Sequence, residues 1–441
     1  MFFVKAWEKG PNCLISYGGL KRKQFKDEGC LVWSMKIFFM CTHCNQGTGY
    51  ARVANKIVNH LASIPSVEVV YYAFQNYKGL EIKDRFIDPR IRFLDALELD
   101  PSAVCGFGDK GILPSIIKEK PDVLFHYNDM NVVRAIMHLI PPEHMPPKKY
   151  LYLDIVYPWQ NIDTFEFLKE YNFDHIWTFL DCWRDHMVND LKFDPLKVST
   201  MVHGIDFDRF VDIPKEEAKV SRGFKPDDFL VVNMNRNSKR KVWETTIKAF
   251  LELLGRENMN PRIKLFCGGL PFHEDGLDIG MTVRSECLRR GMDANKVCFH
   301  HVFINPKPLH LTDAEVNEIY NAGDVGISTT RGEGFGLTPV EHMYFNRPQV
   351  VTGIPALKET MGPYAHFVEP KLWVRVGQDE PCDGDAAYCD YKDFAEHLQH
   401  CFKNPDEYPN AREYLREKYS WEHMFKALDG QVRVHLDHSK I

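Results

Sequence analysis

Short, unbroken apolar runs that recur between helix-patterned stretches constrain this chain more than any other feature. The run at 35–40, Met-Lys-Ile-Phe-Phe-Met, precedes a stretch over 51–61 in which Val53, Ala54, Ile57, Val58 and Leu61 share one helical face. A second apolar run follows at 67–74. Runs this apolar, with no polar alternation, suit strands covered on both faces, as in parallel sheets. Parallel neighbours need a crossover, which a helix supplies. The pattern returns at 123–125, 150–156 and 175–180, and again at 229–234, 263–266, 297–299, 325–328 and 349–352. Between the two series, Ile213-Pro214-Lys215-Glu216-Glu217-Ala218 turns polar, and we place a linker there. The expected fold is α/β, with two doubly wound domains in tandem and a ligand cleft between them.

Bulk properties narrow the function. A chain of 441 residues exceeds one ordinary core. With 44% hydrophobic and 26% charged residues it reads as globular, neither disordered nor coiled coil. A net charge of −6 argues against nucleic acid as a partner. No run of eighteen apolar residues appears, so any membrane contact is expected to be peripheral. The opening Met1-Phe2-Phe3-Val4-Lys5 is too quickly charged for a secretory signal, and twelve scattered cysteines suit reduced thiols, so a cytoplasmic setting is expected. Cys41-Thr42-His43-Cys44 has the spacing of a redox or half-zinc motif, but no second pair completes a zinc site, and no metal site is assigned. Residues 1–34 lack periodicity and read as an extension to a first domain over 35–212, followed by a second over 213–419.

Three turns carry candidate chemistry. Gly47-Thr48-Gly49-Tyr50 opens the first helix but lacks the third glycine of a dinucleotide fingerprint, since Arg52 stands in its place. The second strand ends Ala73-Phe74-Gln75-Asn76 without an acid for a ribose, which disfavours a nicotinamide enzyme. In the second half, Arg236, Lys239, Arg240 and Lys241 crowd a strand's carboxyl end, as a diphosphate would require. Lys239 and Arg240 read as a solvated basic loop, and Arg236 and Lys241 as the more interesting pair. Finally, Glu333 and Glu341 bracket Gly334-Phe335-Gly336-Leu337-Thr338-Pro339-Val340 between a strand and a helix. Pro339 suits a first helical position, and Thr338 to Glu341 fits a capping box, which could by itself account for Glu341. Capping leaves Glu333 unexplained. The acidic stretch 378–385, including Asp383-Gly384-Asp385, reads as a solvated surface loop.

The ordered set of motifs resembles the group 1 glycosyltransferases, the retaining family 4 enzymes of GT-B fold, in which two Rossmann-like domains enclose a cleft. Arg236 and Lys241 are similar to that family's Arg and Lys five apart, with Ala249 and Phe250 further along the helix. Glu333 to Glu341 resembles its paired-glutamate signature, and 351–359 its closing segment. Val202-His203-Gly204-Ile205-Asp206 is similar to the turn that ends the first domain, and Tyr419-Ser420-Trp421-Glu422 to the start of a helix over 420–441 that returns to it.

The resemblance implies retaining transfer of a hexose-type sugar from a nucleoside diphosphate sugar to a glycan or other hydroxyl acceptor, with no cofactor and no required metal. Arg236 and Lys241 would bind the diphosphate and stabilise its charge as it leaves. Glu333 would hold sugar hydroxyls and Glu341 the ribose. Backbone N–H groups at Phe335, Gly336 and Leu337 would meet phosphate or sugar oxygens, and Gly49 would let the first-domain loop close over the phosphate. One departure stands out: where the family often has His-Asp, this chain has Leu153-Asp154. Asp154 is therefore the candidate to orient acceptor or sugar, with His126, Asn128 and Asp129 as neighbours that equally suit structural roles. Two alternatives stay open, a sugar-nucleotide epimerase of the same fold and a non-catalytic nucleotide-sugar binder.

Overall fold

The computed structural model describes residues 24–27, 30–79, 81–82, 85–306, 311–377, 383–407 and 410–437. The expected extension lies largely outside these residues. Within it β1 (Gln24–Asp27) and β2 (Cys30–Trp33) pair antiparallel. The first large sheet contains β3 (Met35–Thr42), β4 (Val67–Phe74), β5 (Arg92–Asp95), β6 (Val123–Asp129), β7 (Lys148–Asp154), β8 (His175–Thr178) and β9 (Val198–Thr200). All its pairings are parallel, in the order β5-β4-β3-β6-β7-β8-β9. From Ile37 to Cys41 every residue of β3 is fully buried, because helices cover both faces of the sheet.

The second sheet repeats the plan. It holds β10 (Phe229–Asn233), β11 (Ile263–Cys267), β12 (Val302–Ile304), β13 (Val325–Ser328), β14 (Gln349–Thr352) and β15 (His366–Val368) in the order β12-β11-β10-β13-β14-β15, again parallel throughout. In each sheet the strand order reverses beside the first strand, which opens a crevice at the carboxyl ends. The glycine turn follows β3, the basic turn follows β10, the Glu333 turn follows β13, and Asp154 ends β7. The fold therefore delivers all four segments to crevice edges.

Two expectations are overturned here. The strand expected at 297–299 is the helix Ala294–His300, which Asp293 caps by accepting from the N–H groups of Asn295 and Lys296 at 2.9 and 3.1 Å. Its apolar Val297 is a buried helical face position, and the sheet strand starts only at Val302. The acidic loop expected at 378–385 is also corrected where it can be seen. Residues 378–382 lie outside the described residues, whereas β16 (Leu372–Val376) pairs antiparallel with β17 (Gly384–Tyr388). Asp383 is engaged, accepting from the backbone N–H of Asn161 at 2.6 Å and from Arg375 at 2.9 Å.

The chain closes on itself through its last helix, Trp421–Asp437. Ile205 N–H donates to the Tyr419 carbonyl at 2.8 Å, and His60 on the helix Gly49–Ser63 meets Asp429 at 2.7 Å. Among the described residues no helix is long and apolar enough to cross a membrane.

Candidate functional site

The basic turn and the acidic turn are bound into one unit. Arg331 N–H donates to the Arg240 carbonyl at 2.9 Å, and Thr329 Oγ1 donates to the carbonyls of Lys241 and Val242 at 3.1 and 3.0 Å. Beneath them, Asn235 Nδ2 donates to Asn233 Oδ1 at 2.9 Å and to Ser328 Oγ at 3.1 Å, which joins the ends of β10 and β13. This buried polar ladder fixes the spacing of the two turns.

At its tip Glu333 is held between two cations. One carboxylate oxygen pairs with Lys241, the other with Arg240 at 2.9 Å. Glu333 is 5% exposed, and burial alone would raise its pKa. Lys241 and Arg240 outweigh that effect and hold the carboxyl at about 2. Lys241 moves the other way: burial, with repulsion from Arg240 and Arg236, lowers it to about 8 against the pull of Glu333. All three groups are charged at neutral pH. Arg240, expected to be a solvated loop residue, thus belongs to the site. Arg236, by contrast, is exposed, and among the described residues its guanidinium has no hydrogen bond or ion pair.

Glu341 does not cap its helix. The helix Leu337–Met343 begins two residues before Pro339, and Gly336 stands at its N-cap with φ +89°, so no side chain is needed there. Glu341 instead pairs with Arg52 of the first-domain helix and with Arg209 at 2.5 Å, while Tyr320 OH donates to its second oxygen at 3.3 Å. Arg52, noted in the sequence only as the residue where a third glycine was missing, is an interdomain contact.

The first domain approaches from across the cleft. Thr48 caps the helix Gly49–Ser63 by accepting from Ala51 N–H at 3.1 Å, and a Cβ on Gly49 would touch Leu337 at 3.2 Å. Tyr50 OH donates to Asp154 Oδ2 at 2.6 Å. Asp154 Oδ1 has no partner and faces the Gly334 backbone so closely that a Cβ there would overlap it. Burial raises the Asp154 carboxyl to about 6, with Asp129 and Glu333 adding to the rise and Tyr50 and Arg240 opposing it. Phe335 is buried, its ring against those of His203 and Tyr419 at 5.0 and 5.2 Å, so only backbone is left to face a ligand. His203 is itself buried, hydrogen-bonded to Tyr152 OH at 2.7 Å.

The other first-domain candidates separate. His126 is fully buried in β6, neither ring nitrogen has a partner, and burial lowers its pKa to about 3. It presents no surface to a ligand. Asp129 caps the helix Met130–Met137 through the N–H groups of Asn131 and Val132, and Asn128 accepts from Asp129 N–H at 3.0 Å. Cys41 and Cys44 are buried with raised pKa values, the opposite of a reactive thiol.

Two parallel-sheet domains that face one cleft give the chain the GT-B fold. Residues 214–377, within the second domain, match the family described as Glycosyl transferases group 1. D-inositol 3-phosphate glycosyltransferase 2 of Catenulispora acidiphila is 26% identical over 165 residues, 37% of this chain and 36% of that protein. Mannosylfructose-phosphate synthase of Agrobacterium fabrum is 25% identical over 252 residues, 53% of each. The chain thus spans about half, or less, of the length of these curated relatives. Among solved structures, sucrose-phosphate synthase of Thermosynechococcus elongatus superposes with a TM-score of 0.65 at 14% identity, over 92% of this chain and 100% of that one. HepE of Anabaena, in complex with UDP and glucose, superposes at 0.62 with 13% identity, over 90% and 99%.

Proposed function

We propose that this chain transfers a hexose-type sugar from a nucleoside diphosphate sugar to a hydroxyl of a glycan or other acceptor, with retention at the anomeric carbon and without a required metal. One observation carries the reading: Glu333, anchored by Lys241 and Arg240 at the switch point of the second sheet, with the unengaged guanidinium of Arg236 beside it. Arg236 and Lys241 would take the diphosphate, whose charge grows as the bond to the sugar breaks. Glu333 would hold sugar hydroxyls while keeping Arg240. Glu341 would hold the ribose through the oxygen that Tyr320 contacts only weakly. The N–H groups at Phe335, Gly336 and Leu337 would meet phosphate or sugar oxygens, Gly49 brings the first-domain loop over them, and Asp154 faces the sugar from the opposite wall. The UDP and glucose of the HepE complex, on a similar fold, support a nucleotide-sugar donor. A cytoplasmic setting agrees with the nine cysteines whose side chains are described, all of them unpaired.

The test is turnover against a panel of nucleotide sugars and acceptors with and without chelator, with the anomeric configuration of the product read by NMR. Retention, insensitivity to chelator and loss of turnover in Lys241→Ala are expected. An inverted product sinks the stereochemical reading, and donor binding that survives Lys241→Ala unchanged sinks the diphosphate site.

A further inference from the structure

Trp183 and Glu359 cross between the domains in opposite directions, and the donor site absorbs neither. Trp183 lies in the short helix Asp181–Asp185, which follows β8 in the first domain. It is 3% exposed, and its indole N–H donates to the Gly334 carbonyl at 3.0 Å. Glu359, on the helix Pro355–Met361 of the second domain, accepts from the N–H groups of Asp181 and Cys182 at 2.8 and 2.7 Å. One carboxylate thus satisfies two of the N–H groups that a helix start leaves unpaired. The grip is reciprocal: the second domain holds the helix, and the helix holds a turn of the second domain. Asp154 and Phe179 crowd the Gly334 Cα from the same side, so a side chain there would meet both.

Gly334 directly precedes Phe335, and the peptide that joins them is trans. Such a peptide is planar and rigid, with its C=O and N–H pointing in opposite directions. Trp183 therefore fixes more than a carbonyl. By drawing the Gly334 oxygen towards the first-domain helix, it aims the Phe335 N–H the other way, two positions from the glutamate that would hold the sugar. We propose that Trp183 is a positioning residue for the donor, turning this peptide so that the Phe335 N–H meets the phosphate that carries the sugar, and that Glu359 keeps Trp183 in place. This rests on the transferase reading above. Trp183 touches no substrate itself. It acts through a peptide of the other domain, so the N–H is aimed only when the two domains are together.

The experiment is calorimetric titration of wild type, Trp183→Phe, Glu359→Gln and the double variant with UDP, GDP and ADP and with the corresponding monophosphates, thermal melting serving as the second readout. Phenylalanine keeps a buried ring but has no N–H to donate. Whichever diphosphate binds wild type should bind Trp183→Phe about tenfold more weakly, with its monophosphate losing far less, because only the terminal phosphate meets the Phe335 N–H. In Glu359→Gln the amide nitrogen cannot accept an N–H, so the helix loosens and the same selective loss should appear, smaller in size. The double variant should bind no worse than Trp183→Phe, since both changes act through one hydrogen bond. A merely structural role would lower the melting temperature and leave the ratio of diphosphate to monophosphate affinity at its wild-type value. That result overturns the proposal while the donor reading stands, and additive losses in the double variant overturn the part given to Glu359. If wild type binds none of the nucleotides, the transferase reading itself has failed, and this inference with it.

Discussion

At the scale of single residues the decisive group is Glu333. Its carboxyl titrates near 2 in the folded protein, against an ordinary value of 4.5, so the fold favours the charged form. That stability is fully present above the unfolded value and is lost as pH falls through about 2. In Glu333→Gln two half-buried cations lose their buried partner, and the variant should be less stable than wild type by about 2–3 kcal/mol at neutral pH. Paired denaturant titrations should place the gap above pH 4.5 and close it towards pH 2. Lys241 should also respond. Without the pull of Glu333 it should titrate below its present value of about 8, so donor affinity in the variant should fall further on raising the pH through neutrality. An affinity that tracks wild type across that range would sever the coupling. Much of this was legible in the sequence, because an acid between glycines has few structural uses. Arg240 was not, since the side chain that swings into the site cannot be told from its solvated neighbour Lys239 by spacing.

At the scale of elements, the turn from β13 into the helix Leu337–Met343 carries two glycines with different duties. Gly336 needs a positive φ, and alanine there would be strained and would overlap Leu357, so Gly336→Ala should cost at least about 1–2 kcal/mol in thermal unfolding. Gly334 has no such dihedral. It is small because Asp154 crosses the cleft to meet it, so Gly334→Ala should cost less in melting than Gly336→Ala, the Asp154 side chain giving way, yet lower kcat by about 100-fold through displaced catalytic groups. Equal effects on stability in the two variants would remove that distinction. The strand runs were readable because burial on both faces leaves an apolar signature, as in β3. The exceptions have local causes. At 297–299 the apolar residues belong to a helix that Asp293 starts, and Glu341 obeyed a capping pattern while its true partners, Arg52 and Arg209, lay 289 and 132 residues away. Periodicity cannot report partners that the fold brings from another domain.

At the scale of the whole molecule, separate devices bring the two domains together. One is ionic, the pairing of Arg52 with Glu341. In Arg52→Ala the unliganded protein should expand in X-ray scattering, with donor restoring compactness, and an unchanged radius would show that packing alone closes the cleft. The other is the return of the helix Trp421–Asp437. Its Met424, Leu428 and Val432 are fully buried in the larger core, the Trp421 ring packs on Gly204, and Lys56 lies 5.6 Å from the centre of that ring. Burying each of the three aliphatic side chains contributes about 1.5–3 kcal/mol, so deleting residues 420–441 should cost on the order of 5 kcal/mol. The loss should be localised. The second sheet has its own core, built on Val231, Leu265, Ile327 and Val350, which this helix does not enter. Calorimetry of the truncated chain should therefore show an early transition for the first domain ahead of a little-changed one for the second. Isolated donor binding should survive while turnover is lost, because the Tyr50 and Asp154 wall belongs to the domain that melts first. A single cooperative transition that shifts as a whole would mean instead that the two cores unfold together and that the helix stabilises the molecule as one body.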